Sequence, residues 1–177
     1  DGQLEARIVG IGNGGRLRGS GLLIAADGVV TFDGGSIAPG VVQVGSAQRT
    51  TATTHQVGTL TIQGNVTISP TGVITLHVLG GTADLQDRLV VSGTVNLGGD
   101  LALNFGNGYA PKQGDQLALI QAATVTGAPQ AVIITGLAPG FQFDLDAVGG
   151  TLTLVALNDG VPATQPLAQP VFLPLVQ

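Results

Sequence analysis

The chain has 177 residues, enough for one domain with a sizeable core plus a tail. It is 44% hydrophobic and only 10% charged, with 29 Gly and a mean hydropathy of +0.43, which excludes Lys- and Glu-rich solvated helices and a disordered chain. A net charge of −5 with six basic residues excludes a nucleic-acid partner, the absence of Cys excludes disulfides and thiolate metal sites, and no apolar run reaches the ~18 residues of a membrane-spanning helix.

In chain order, the first motif is Gly10-Ile-Gly12-Asn-Gly14-Gly15, which satisfies G-x-G-x-x-G. The residues after it are too rich in Gly to open the helix a dinucleotide site requires, so it reads as a turn between strands. Period-two alternation follows almost everywhere, cut by Gly, which is the pattern of half-buried strands. Leu60, Ile62, Gly64, Val66 and Ile68 recur as Leu89, Val91, Gly93, Val95 and Leu97, an offset of 29, and Ile74, Leu76 and Val78 recur as Leu101, Leu103 and Phe105, an offset of 27. A fainter echo of Gly58–Gln63 appears at Gly150–Val155. Repeats of this length with several short strands predict an all-β solenoid, in which one coil buries its inward face only when the next stacks on it. A hairpin-built β-sandwich is the alternative. Residues 1–160 are read as the domain and 161–177 as an extended, Pro-rich tail whose prolines exclude a helix.

The order of motifs is similar to the passenger-associated repeat region of bacterial autotransporters and related β-helical surface proteins. It runs from the G-x-L-x-G-x-G-like coil at Gly15–Gly21, through the P-G turn at Gly34–Gly40 and Gly58–Thr61, to Asp87–Gly93 and Tyr109–Asp115. The segment 41–57 is longer than that family's pattern. The resemblance implies a short right-handed parallel β-helix, placed outside the cell, with a structural or adhesive role. The lack of Cys, Met and Trp suits the same setting.

Little chemistry is legible beyond this. His77 is expected on the polar face of its strand and His55 in a Thr-rich loop, neither with a carboxylate in a recognisable catalytic order, and Asp87 is expected to pair with Arg88. β-Helical polysaccharide-cleaving enzymes group basic and acidic residues on one outer strand face, whereas the basic residues here are spread along the chain. No catalytic activity and no cofactor are expected. Asp144 and Asp146, at i and i+2, point the same way and are the candidate metal ligands, able to share Ca²⁺ with carbonyls of the Gly149-Gly150 turn. The tail cluster Val171, Phe172, Leu173, Leu175 and Val176 is expected to dock on a second copy as an added strand. The predicted function is a secreted, self-associating structural protein that joins copies through open β-edges and this tail. The alternative is an adhesin or glycan-binding surface module; a nucleic-acid partner and membrane insertion are not expected.

Overall fold

The computed structural model describes residues 2–6, 9–44 and 53–163. Its regular structure is strand throughout, apart from one 3₁₀ turn at Ala83–Leu85. The chain passes alternately through two sheets. The first visit consists of β1 (Gly2–Ala6) and β2 (Val9–Ile11) in the first sheet and β3 (Arg16–Gly19) in the second. The second visit is β4 (Gly21–Phe32) and then β5 (Ser36–Pro39). After a two-stranded arm, β6 (Val41–Val44) and β7 (Thr53–Gln56), the chain forms β8 (Thr59–Ile68) and β9 (Val73–Val78). Then come β10 (Arg88–Val91), β11 (Thr94–Leu97) and β12 (Asp100–Phe105). The last visit is β13 (Gln116–Gln121), β14 (Thr124–Gly127) and β15 (Val132–Thr135), before a hairpin of β16 (Phe143–Val148) and β17 (Thr151–Ala156).

Strands from successive visits pair in parallel. The second sheet is ordered β15-β12-β9-β5-β3, and the first runs β1-β4-β8-β10-β13-β17-β16, with β2 on β4 and β11 between β8 and β14. The sequence repeat is the ladder register itself: Leu60 pairs with Leu89, Ile62 with Val91, Val66 with Val95 and Ile68 with Leu97, while Ile74, Leu76 and Val78 pair with Leu101, Leu103 and Phe105. Parallel neighbours need a crossover, here a passage through the other sheet. Among the described residues hairpins are confined to β6–β7 and β16–β17, so the antiparallel pairing of a hairpin-built sandwich is not the organising pattern.

Alternate residues of both sheets point into one apolar cluster that includes Leu23, Phe32, Ile37, Ile62, Leu76, Leu89, Leu103 and Leu117. Two glycines make the stacking of the connecting corners possible. β8 bends at Gly64, whose φ is +134°, and a methyl at Gly99 would collide with the carbonyl oxygens of Ser69 and Gly72 in the corner below. The Gly10–Gly15 segment forms the expected turn between β2 and β3, closed by the Gly15 amide donating to the Gly12 carbonyl at 2.8 Å. The Tyr109–Asp115 motif likewise ends in a turn, where the Asp115 carboxylate accepts the Lys112 amide at 2.8 Å just before β13.

The echo at Gly150–Val155 does not continue the parallel pattern. β17 lies antiparallel to β13 and to β16. Gly149 and Gly150, at φ +60° and +79°, form the two-residue connection that reverses the chain. At the start of the tail, the Ala138 amide donates to Val161 and the Ala163 amide to Gly136, so residues 161–163 pair with their own domain. Val171, Phe172, Leu173, Leu175 and Val176 lie outside the described residues.

Leu76 is 0% exposed, and Gln63 lies on the outward face of β8. Leu76→Ala is expected to lower stability by about 2–5 kcal/mol. Gln63→Ala should stay within about 0.5 kcal/mol of the parent, both read from urea unfolding midpoints.

Candidate functional site

The outward residues of the second sheet line up across strands because the register is parallel. Arg16 of β3 stands beside Ser36 of β5, which stands beside Val73 of β9. Arg18 stands beside Ala38, and His77 beside Asn104 of β12. The β6–β7 arm folds back so that His55 reaches this face, walling a cleft of 420 Å³ lined by Arg16, Arg18, Ser36, Thr75, His77 and Asn104, among others. A broader groove of 1060 Å³ beside the arm, on the β4–β8 face, has no ionisable side chain in its lining among the described residues. The cleft on the second sheet is therefore the place where charge and shape coincide.

At one end of the cleft both histidines of the chain meet one carboxylate. Residues 77–87 form a closed excursion in which the Asp87 amide donates back to the His77 carbonyl at 2.8 Å, returning the chain beside its starting point. The Asp87 side chain is 0% exposed. Its Oδ1 accepts the Gly58 amide at 2.9 Å and its Oδ2 the His77 amide at 2.9 Å. Oδ2 also lies 2.9 Å from Nε2 of His55 and 3.1 Å from Nδ1 of His77. A carboxylate has only acceptors, so both imidazoles donate to it, which sets the Nε2–H tautomer of His55 and the Nδ1–H tautomer of His77. The rings stack with centroids 3.5 Å apart and planes at 17°. Nε2 of His77 is then free to accept from the Asn104 amide, 3.4 Å away, and Asn104 Oδ1 accepts the Thr135 hydroxyl.

Gly40 roofs the cluster. A methyl there would collide with Asp87 Oδ1, the Gln56 carbonyl and His55 Nε2, and its φ of +83° already favours glycine. Nδ1 of His55 is buried without a hydrogen-bond partner among the described residues. Burial lowers the His55 pKa below its ordinary 6.5; Asp87 opposes the shift, while the nearby His77 and Arg18 add to it.

These contacts correct three expectations. Asp87 does not pair with Arg88: neighbours on a strand point to opposite faces, and the Arg88 guanidinium donates instead to Gln121 Oε1 at 3.2 Å. The histidines do have a carboxylate partner. Basic residues spread along the sequence do converge, because Arg16 and Arg18 line the same cleft as His55 and His77. The missed signal was the repeat: an offset of 29 places Asp87 beside Gly58, three residues from His55. Asp144 and Asp146 are exposed on the edge strand β16, and no histidine or further carboxylate joins them in a ligand-spaced group among the described residues.

The arrangement can hold an anionic or polyhydroxylated ligand through Arg16, Arg18, Ser36, Thr75 and Asn104, and its carboxylate–imidazole pair can orient a base or a metal ligand. No protein-family model matches the chain, and a search of curated proteins finds no match.

Asp87→Ala would strip two part-buried backbone amides, those of Gly58 and His77, of their acceptor. It is expected to lower stability by at least about 2 kcal/mol, measured by chemical unfolding. In an NMR titration the His55 imidazole should have its midpoint below 6.5. Because the folded value is depressed, the unfolded chain binds this proton more readily. The stability linked to His55 should be fully present above pH 6.5 and lost as pH falls through the folded value, with Asp87, His77 and Arg18 the charged or titratable groups acting on it.

Proposed function

We propose that the chain is a non-enzymatic, extracellular β-solenoid of the autotransporter passenger-associated type, wound as a right-handed parallel β-helix, and that it is a surface module binding an acidic glycan. Parallel pairing of successive visits in the register of the sequence repeat supports the solenoid winding. The motif order from Gly15 to Asp115 supports the family, and a chain without Cys or Met is compatible with an extracellular setting. The cleft with two arginines carries the binding reading. Its 420 Å³ falls within the usual range for small-ligand sites, and its lining combines two guanidinium groups with hydroxyl and amide side chains. Guanidinium forks match carboxylates, and Ser36, Thr75 and Asn104 match sugar hydroxyls.

Self-association is the second reading, and the two ends of the stack favour it unequally. The outer edges of β1, β2 and β3 have no strand partner among the described residues, which leaves backbone donors and acceptors for a second copy. At the opposite end the β16–β17 hairpin presents exposed Asp144 and Asp146 on its edge, while β14 and β15 are each paired on one side only among the described residues. The β16 carboxylates discourage strand addition beside them, so pairing through the amino-terminal edges is favoured over pairing on the hairpin.

On an array of neutral and uronate-containing glycans, the protein should retain only the acidic ones. Arg16→Ala and Arg18→Ala should each weaken binding about tenfold or more, the scale of one charge-assisted hydrogen bond. Binding that ignores both substitutions would overturn the cleft reading. Sedimentation of the same samples distinguishes the second reading, which requires concentration-dependent dimers whether or not glycan is present.

A further inference from the structure

We propose that His55, His77 and Asp87 form a binding site for a divalent first-row transition metal of the zinc class. The inference is independent of the glycan reading, since it rests on the end wall of the cleft and not on the arginines. Ligand atoms of all three residues lie within 4.8 Å of one another. The set is two imidazoles and one carboxylate, borderline nitrogen donors with a hard oxygen, which suits Zn²⁺ or Fe²⁺ and not Ca²⁺ or Mg²⁺. Three protein ligands leave a coordination position for water or a small ligand, and both histidines line the 420 Å³ cleft, which provides the path of entry.

The surroundings of the three residues are those a metal ligand set requires. Asp87 is oriented by two backbone donors, the amides of Gly58 and His77. His77 is oriented through its far nitrogen by Asn104, which is held in turn by Thr135. With a metal on Nδ1, the His77 proton moves to Nε2 and the Asn104 amide turns its oxygen to it, leaving its NH₂ to donate to the Thr135 hydroxyl. Outer partners of this kind set ring orientation and ligand basicity. The hydrogen-bonded arrangement without metal, by comparison, is crowded. One oxygen, Asp87 Oδ2, receives three donors, the two rings lie face to face at 3.5 Å, and His55 Nδ1 has no partner among the described residues. A cation held among the three would replace the two imidazole protons that now converge on Oδ2. Coordination in the ring planes requires the stacked rings to fan apart, and His55 stands on the inserted arm while His77 and Asp87 belong to the body of the stack.

The test uses the full chain stripped with a chelator and titrated with Zn²⁺ alone. One Zn²⁺ should bind per chain. His55→Ala and His77→Ala should each weaken binding by more than about 100-fold, beyond the 10–100-fold range of outer-partner losses, whereas Asn104→Ala should stay within that range. His55→Ala leaves both backbone bonds of Asp87 in place, so its fold, checked by circular dichroism, keeps the comparison valid if Asp87 variants unfold. Substitution by Co²⁺ should give the visible absorption of a four-coordinate site, lost in His55→Ala. No binding at about 100 µM Zn²⁺, or binding unchanged in folded His55→Ala and His77→Ala, would overturn the proposal. Loss of zinc with glycan retention intact, or the reverse, separates failure of this site from failure of the arginine cleft.

Discussion

A strand in a parallel ladder buries nothing by its own pairing; its inward side chains are covered only when the corresponding residues of the next layer sit above them in register. The rest of this structure depends on that constraint. Leu76 is buried because Leu103 lies beside it on one side and the first sheet closes over it. A shift of one residue would send Ile74, Leu76 and Val78 to the outside together and bring Thr75 and His77 into the core. Register is thus held by every layer at once, and the outward residues inherit its alignment. Arg16, Ser36 and Val73 form a row for the same reason that Leu101, Ile74 and Ile37 do.

Parallel stacking also creates a problem at the ends, since each terminal strand exposes an unpaired edge. The two ends meet it differently. β17 reverses direction after Gly149-Gly150 and pairs antiparallel with β13, and β16 then forms the last edge with its aspartates outward. Charge on an edge discourages another strand from adding to it. The amino-terminal edges of β1 to β3 carry no comparable covering among the described residues. At the hairpin end β14 and β15 remain paired on one side only among the described residues, so the carboxylates guard one edge of it and not the whole.

The inserted arm converts a repetitive surface into a specific one. Without it, the outer face of the second sheet is a flat array of side chains at strand spacing. With it, a wall stands over that face, and Asp87 ties the wall to the body through the Gly58 amide, the His77 amide and both imidazoles. One buried carboxylate therefore serves two purposes. It supplies acceptors to backbone groups that no strand partner reaches, and it gathers the only two histidines of the chain at the end of a cleft that also holds two arginines.

The periodic part of the fold is legible in the order of the amino acids alone. Alternation names the inward residues, and the offsets of 29 and 27 name their partners in the next layer, because each layer encodes the same local constraint again. Even the position of Asp87 beside Gly58 was present in that offset. The direction of the last strand was not, since the alternating pattern of Thr151–Ala156 is the same in a parallel and an antiparallel neighbour, and only the two positive-φ glycines before it distinguish them. Nor was the approach of His55 to His77. The arm has no counterpart in the other layers, so no repetition specifies where it lies. Its position is decided in three dimensions, by a buried carboxylate whose donors come from positions 10, 29 and 32 residues away.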